Sequence, residues 1–567
     1  MQYDIVIRNG IVIDGSGLDG YRADVGIVGD RIATIGRIQS RGEVEVDAEG
    51  HAVTPGFIDC HTHLDAQIFW DHRGANSCWH GVTTAVMGNC GFTIAPGSAA
   101  QQEIVVRNLE RAEDMSASVL AAGIDWSWSD FDGYLKALDA LPKGINYAPQ
   151  VGHSAVRCHV MGERAFTDPA GEDDLSQMAA HVRRAMECGA WGFTTSRTIH
   201  HQTPDGGPVA SRLAAWEEVE HLLRTAASVG GGMYQYVEDR PADPHEAAAH
   251  DAELVALAAE TGLTFVIPAM AKPDETLAFL DAAAAQGARF VGVTHPRGIG
   301  NWASFQTTLP FDGLAEWQPV RSLPLEQQRT QLRDPAVRER LVAAALDAVF
   351  ADAKGAEARA PDYDRMQALA TPTPPHATVN DVARERGVDP VTAIIELALE
   401  ADLELFFFQP FAPWCGDDVD RLLAHPRVVA GFSDSGAHVS QMADASIMTH
   451  LLAYQARDRA SLSLEEAVRL ITFAPARAWG LNRRGLVSEG FIADLNVIDP
   501  ATVGPTMPRL VDDLPTGASR IEQRSTGILA TVVGGRVTVE KGEHTGRFPG
   551  QVLRRGSRGA FEPGLGS

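Results

Sequence analysis

Eight short apolar runs, set off by turn signals and helical stretches, constrain this chain more than any other feature. They read "VTPGFID", "GVTTAVMGNC", "INYAPQVGH", "AWGFTTSR", "GGMYQYV", "LTFVIPAM", "FVGVTHP" and "RVVAGFSDSG". Helical periods lie between several of them: "DDLSQMAAHVRRAMECG", "AAWEEVEHLLRTAASVG", "DAELVALAAETG" and "DETLAFLDAAAAQG", each closing on a glycine as a helix C-terminus should. Strand and helix repeated eight times is the sequence form of a TIM barrel.

The spacing is regular except between the seventh and eighth runs. There, residues from 296 to about 427 insert a Trp/Pro-rich stretch, helices such as "RERLVAAALDAVFADA", and the apolar run "LELFFFQPF". Such an insertion follows a strand's C-terminal end, where barrel enzymes build substrate pockets. The alternative register makes "LELFFFQPF" itself the seventh strand. Its aromatic residues, around Phe408 and Trp414, read first as core packing and second as an apolar acyl pocket.

Both termini read as β-structure. "DIVIRNGIVIDG" signals a hairpin at Asn9-Gly10, "VGIVGDRIATIG" another at Gly29-Asp30, and "ILATVVGGRVTVEKG" a third at Gly534-Gly535. The expected organisation is a β-module from residues 1–55 and 481–567, the latter including the tail, around a barrel spanning 56–480. A length of 567 residues suits a barrel with an insertion plus a smaller module.

The net charge of −26 argues against nucleic-acid binding through a basic surface, which needs clustered Lys and Arg. No window approaches the apolar length of a membrane span, and "MQYDIVIRNG" carries no positive leader. Six cysteines without a CxxC pair fit a reducing compartment. These features predict a cytoplasmic protein acting on a small molecule, with no nucleic-acid or membrane partner; homo-oligomerisation is left open.

In "GFIDCHTHLD", alternation along a strand turns Asp59, His61 and His63 to one face. The barrel register makes this the first strand, with both histidines at its C-terminal mouth. Along "GVTTAVMGNCGF", Thr84, Val86, Gly88 and Cys90 share a face, so Cys90 ends at the same mouth. "VVAGFSDSGAH" brings Asp434 to the end of the last strand, beside the first in a closed barrel. Imidazole, thiolate and carboxylate together suit a borderline cation, above all Zn²⁺, one per chain, with other divalent metals as alternatives. Such a metal activates a water and polarises a carbonyl, and Asp434 is placed to move a proton to a leaving amine. The bland alternatives are a helix N-cap for Asp434 and a small buried residue for Cys90.

At these motifs the chain resembles the amidohydrolase superfamily and, within it, the N-acyl-D-amino-acid deacylases. The resemblance runs through "VTPGFIDCHTHLD", "HGVTTAVMGNCGF", "VGHSAVR", "GAWGFTTSR", "SDSGAH", "TFAPARAWGL", "GLVSEGFIADLNVIDP" and "ATVVGGRV". It implies a distorted (β/α)₈ barrel with a small β-sandwich built from both termini, and metal ligands at His61, His63, Cys90 and Asp434. It also implies hydrolysis of a linear amide, an N-acyl amino acid or related compound. The family offers a histidine at the end of strand five and another at strand six, whereas "MYQYVEDRP" and "TFVIPAMAKP" contain none. That departure points to a single metal and opens other readings: a cyclic amide, an ester or a carbon–carbon bond as substrate, or a non-catalytic scaffold.

Further candidates sit at other strand ends. His153, Ser154 and Arg157 either line the pocket or brace the barrel, Arg157 being suited to a substrate carboxylate. Arg197 and the loop carrying His200 and His201 follow strand four, Tyr236 and Glu238 strand five, and His295 strand seven. His438 could orient Asp434 or contact substrate.

Overall fold

The computed structural model describes residues 2–270, 272–350, 359–411 and 416–556. Cys415 and Trp414 lie outside the described residues. The eight apolar runs become strands, in order: Phe57–Thr62, Val82–Met87, Asn146–Pro149 continued by Val151–Gly152, Gly192–Ser196, Met233–Val237, Thr264–Pro268, Arg289–Thr294, and Val428–Ala430 continued by Phe432–Ser435. All pair in parallel, in two arcs. A four-stranded arc runs from Phe432–Ser435 through strands one and two to Asn146–Pro149; a six-stranded arc holds Val151–Gly152, strands four to seven and Val428–Ala430. Strands three and eight therefore divide between the arcs, at Gln150 and Gly431, giving a TIM-barrel-like α/β fold.

Helices Glu172–Glu187, Trp216–Ala227, Pro244–Thr261 and Pro273–Ala285 fill the crossovers from strand three to strand seven. Local chemistry fixes their ends. The Asp243 carboxylate accepts the backbone N–H groups of His245 and Glu246, Pro244 starts the helix, and Gly262 ends it at φ 65°. Leu254, Val255, Leu257 and Ala258 turn one face of that helix into the core. Full burial of each larger aliphatic side chain is worth roughly 1.5–3 kcal/mol.

"FVGVTHP" is the seventh strand, since Gly292, Val293 and Thr294 register against Val428, Val429 and Ala430. "LELFFFQPF" instead supplies Phe407–Pro410, the central strand of a separate antiparallel sheet with Gly300–Ala303 and Gln367–Ala368. The insertion owns an apolar core that includes Phe305, Phe311, Trp317, Leu341, Ile394 and Phe407. It stands at the mouth of strand seven as a subdomain.

Segments from both ends of the chain join in one nine-stranded sheet, where Ala52–Pro55 pairs antiparallel with Leu495–Ile498. Gly29-Asp30 and Gly534-Gly535 do turn hairpins. Asn9-Gly10 does not: it lies inside the continuous strand Tyr3–Val12 as an irregularity in its pairing with Tyr21–Val28. The reason is lateral crowding. A Cβ on Gly10 would come within 2.4 Å of the Val53 side chain, and Asn9 adopts φ 56° while its amide side chain donates to Asp47. Among the described residues no helix is long and apolar enough to cross a membrane.

Candidate metal centre

Strand one ends at Thr62, and the His63 N–H donates to the Ser435 carbonyl at 2.8 Å, which locks the last strand beside the first. Phe432 registers against His61, and the two rings stack at 3.8 Å between centroids. The turn after Asp434 passes so close that a Cβ on Gly436 would lie 2.5 Å from the His63 carbonyl oxygen; Gly436 takes φ 97°. Cys90 arrives differently from the alternation the sequence predicts. Strand two stops at Met87, and the turn Asn89–Gly91 presents Cys90 at φ 56°. Asp434 (φ 51°) and His438 (φ 49°) share that left-handed backbone. Three non-glycine residues in this region at one mouth is the pattern of a functional site over-determined by its surroundings.

The side chains converge. Asp434 Oδ1 lies 3.1 Å from His61 Nε2 and 3.3 Å from His63 Nε2, and Cys90 Sγ lies 3.4 Å from His61 Nε2. His61, His63 and Cys90 each offer a ligand atom within 4.8 Å of the others, and all three are buried. Two N or O donors on one tetrahedral Zn²⁺ sit about 3.3 Å apart, and a sulfur–nitrogen pair about 3.6 Å apart. Asp434 Oδ1, although within contact distance of both imidazoles, accepts no properly directed hydrogen bond. Buried polar atoms ordinarily have such partners, so the donor set fits a cation at its centre.

Electrostatics agree. Burial pushes the Asp434 carboxyl upward, but the His61 and His63 imidazoles overcome it and hold the group well below the usual carboxylate range. Burial, with Glu113 and Asp434 nearby, pushes the Cys90 thiol well up, so the thiolate needs a cation beside it. Behind the cluster, Asp59 is pushed to about 7, chiefly by burial.

Glu113 escaped the sequence argument. It is 1% exposed, its Oε2 lies 3.6 Å from His63 Nε2 and 3.7 Å from His438 Nε2, and neither oxygen has a hydrogen-bond partner. In "NLERAEDM" it looks like part of a solvated charged face. The signal that finds it is periodicity, for Val106 and Leu109 are buried on the preceding helix and Glu113 continues their stripe. His438 is thus brought to the site, by way of Glu113. His201 faces it too: Phe92 packs on its ring at 5.0 Å, Ser196 Oγ holds its Nδ1 at 2.6 Å, and burial with the His438 and His63 imidazoles lowers its pKa.

Other candidates are engaged elsewhere. His153 is fully buried with Nδ1 on Thr195 Oγ1 and Nε2 on Glu218 Oε1, both at 2.8 Å; Arg157 pairs with Glu218 and donates to the Asp168 carbonyl. His153 and Arg157 are fully buried and spend these polar atoms on neighbouring wall residues, although Arg157 Nε has no partner. Ser154 binds Ser211 beside them. Arg197 donates to the Ala214 carbonyl at 2.8 Å and ties down its own loop. His295 joins a different cluster, with Nε2 3.1 Å from Asp444 Oδ2. Glu238 turns to His250 at 2.6 Å, and Tyr236 lines the same outer cavity of about 340 Å³. In strand five, Gln235 accepts the Cys90 N–H at 2.6 Å, so this buried position braces the Cys90 turn.

A model of the amidohydrolase family matches residues 44–539. The chain is 28% identical over 566 residues to the D-aminoacylase of Alcaligenes xylosoxydans xylosoxydans, covering 98% of each. It is 29% identical over 570 residues to the N-acyl-D-aspartate deacylase of the same organism, covering 98% of this chain and 96% of the relative. Among solved structures, the N-acyl-D-glutamate deacylase from Bordetella bronchiseptica, complexed with zinc and a phosphonate inhibitor that mimics the tetrahedral intermediate, gives a TM-score of 0.65 at 26% identity, covering 98% of this chain and 100% of that one. A D-aminoacylase described by its binuclear metal centre, with one-metal activation and second-metal attenuation, gives the same TM-score, identity and coverage. With the matched model extending over most of the length and these relatives over nearly all of it, the chain belongs to the amidohydrolase family.

Proposed function

We propose that this chain is a metal-dependent amidohydrolase that cleaves the linear amide of an N-acyl amino acid, of D configuration as in its deacylase relatives. The observation that carries the reading is the convergence of His61, His63, Cys90 and Asp434 at one mouth, with spacings suited to a single cation. Zinc matches this mixed N, S and O donor set. We take the two arcs as the family's closed barrel, residues 56–480, and the terminal sheet as its small β-sandwich.

When bound, the cation supplies a Lewis acid that polarises the amide carbonyl and brings a water toward ionisation at neutral pH. The chain supplies the rest. His61 and His63 would hold the cation, with Cys90 completing the donor set from the turn after strand two. Asp434 reaches both imidazoles through one oxygen, Oδ1, which holds it ionised, and its position beside the cation's ligands is what lets it take the proton of the attacking water. Passing that proton to the departing amine completes the hydrolysis. The surrounding wall is almost wholly buried, which strengthens each of these interactions.

The test is amine release from a panel of N-acetyl-D-amino acids, their L-isomers and a cyclic amide, with metal-stripped and zinc-reloaded protein. Release from the D-compounds on reloading, abolished by Asp434→Asn, is the expected result. Turnover untouched by Asp434→Asn, or confined to the cyclic amide, would overturn the proposal.

A further inference from the structure

We infer that the face of the fold opposite the metal centre binds a phosphorylated organic anion, in a cavity of about 600 Å³ walled in part by Arg289, Arg427, Arg469 and Arg477. The inference goes beyond the proposed hydrolysis and stands without it.

Placement comes first. Strands six, seven and eight run parallel, so their N-terminal ends share one face, away from the donors gathered at the C-terminal mouth. Thr264 begins strand six, Arg289 begins strand seven and Arg427 directly precedes strand eight, and all three line the cavity. Helix Phe473–Trp479 closes it with Phe473, Ala474, Arg477 and Ala478, residues three and four apart on one helical face. That helix is built from "TFAPARAWGL", a stretch that carries the family resemblance and takes no part in the metal centre. Arg469 reaches in from the preceding helix, Leu464–Ile471.

The charge is unusual for this molecule. The chain carries a net −26, yet among the described residues no carboxylate lines the cavity. Two of the four guanidiniums are answered from its rim: Arg469 donates to both oxygens of Glu466 at 2.7 and 2.6 Å, and Arg427 to Asp281 at 3.2 Å. Arg289 donates to the Gly262 carbonyl, and Arg477 has no ion pair or hydrogen bond among the described residues. Neutralising helix-end carbonyls therefore explains Arg289 alone. Two guanidiniums are left without a carboxylate, and like charges held around one space repel until an anion enters it. The planar guanidinium fork matches phosphate oxygens two at a time. A bare phosphate would leave most of the space unfilled, whereas Phe290, Val429 and Phe473 offer an apolar wall to an organic part. The volume is that of a small-molecule site.

The experiment titrates the full-length chain with ADP and with pyrophosphate, read by calorimetry and by thermal shift, without added divalent cations. One ADP should bind per chain, about 10-fold or more tighter than pyrophosphate, and more weakly as salt rises from about 50 to 200 mM. Arg477→Ala should keep the wild-type thermal midpoint without ligand and weaken ADP by more than about 10-fold; Arg289→Ala should do the same from the strand side. A His61→Ala, His63→Ala double variant should bind ADP as wild type does, which separates this cavity from phosphate capture by the metal centre and from the fate of the proposed hydrolysis. No binding of either probe at about 5 mM, arginine variants that bind as tightly as wild type, or ADP binding lost in the double variant would overturn the inference. Pyrophosphate binding as tightly as ADP would overturn its organic part.

Discussion

Two histidine–carboxylate clusters lie near strand ends of this barrel-like fold, and they differ in where their positive charge comes from. In one, Asp444 pairs with Arg297 through Oδ1 and lies 3.1 Å from His295 Nε2 through Oδ2 without a directed hydrogen bond, while Arg297 also donates to Ser446 and lies over the rings of Trp302 and Phe408 at 4.8 and 5.4 Å. The chain supplies its own cation there, and the carboxylate is structural. In the other, Asp434 and Glu113 face His61, His63 and His438 with no lysine or arginine paired to either among the described residues. Similar residue types, all at or near full burial, thus give a braced core in one place and a receptive centre in the other. The presence or absence of an internal guanidinium separates them.

The largest effect should come from the receptive cluster. Asp434→Asn keeps the shape and removes the proton acceptor, so amine release should fall by about 10²–10⁴-fold. A smaller fall would shift the proton role to another group. The braced cluster should respond in stability instead. Arg297→Met leaves Asp444 buried without its cation and should cost about 3–5 kcal/mol in urea unfolding, whereas Asp434→Asn in metal-free protein loses only the attraction of two imidazoles and should cost less. Comparable losses in both would erase the distinction drawn above.

Metal itself sharpens the comparison further. Zinc at 100 times its dissociation constant should stabilise wild type by about 2.7 kcal/mol. The same addition should leave a His61→Ala, His63→Ala double variant unmoved, and a stabilised double variant would place the cation elsewhere.

The smallest expected effect concerns a third kind of buried histidine. His80 has Nδ1 on Thr449 Oγ1 at 2.7 Å and Nε2 on the Gln523 carbonyl at 2.9 Å, and burial pushes its pKa down to about 4. The unfolded chain protonates near 6.5 while the folded chain stays neutral until about 4, so this contribution is complete above pH 6.5 and falls as acid is added. Between pH 7 and 4.5 the loss should be about 2–3 kcal/mol by urea unfolding. His80→Gln should flatten that part of the slope; an unchanged slope would assign the acid lability to other groups.

Residues that a strand's own period carries to its end were legible. His61 and Asp434 are such residues, because alternation and the barrel register fix both the face and the neighbour. Cys90 was legible as a residue and not as a geometry, since Gly88 and Cys90 leave the strand in left-handed conformations before the thiol reaches His61. For His153 and Arg157 the sequence left pocket lining and bracing open, and their partner is distant in the chain. Glu218, which occupies both, lies more than sixty residues along the chain on the helix Trp216–Ala227.

By itself the sequence indicated eight strands with helical periods between several of them, a long insertion late in the barrel pattern, the terminal β-segments and four candidate metal donors. Those follow from short-range periodicity, which acts within a few residues of chain. Only the tertiary structure decided that Glu113 stands between His63 and His438, that Gln235 braces the Cys90 turn, and that Arg297 neutralises Asp444. Each of these depends on burial bringing distant segments within a few ångströms, where the cost of an unpaired charge dictates which groups must meet.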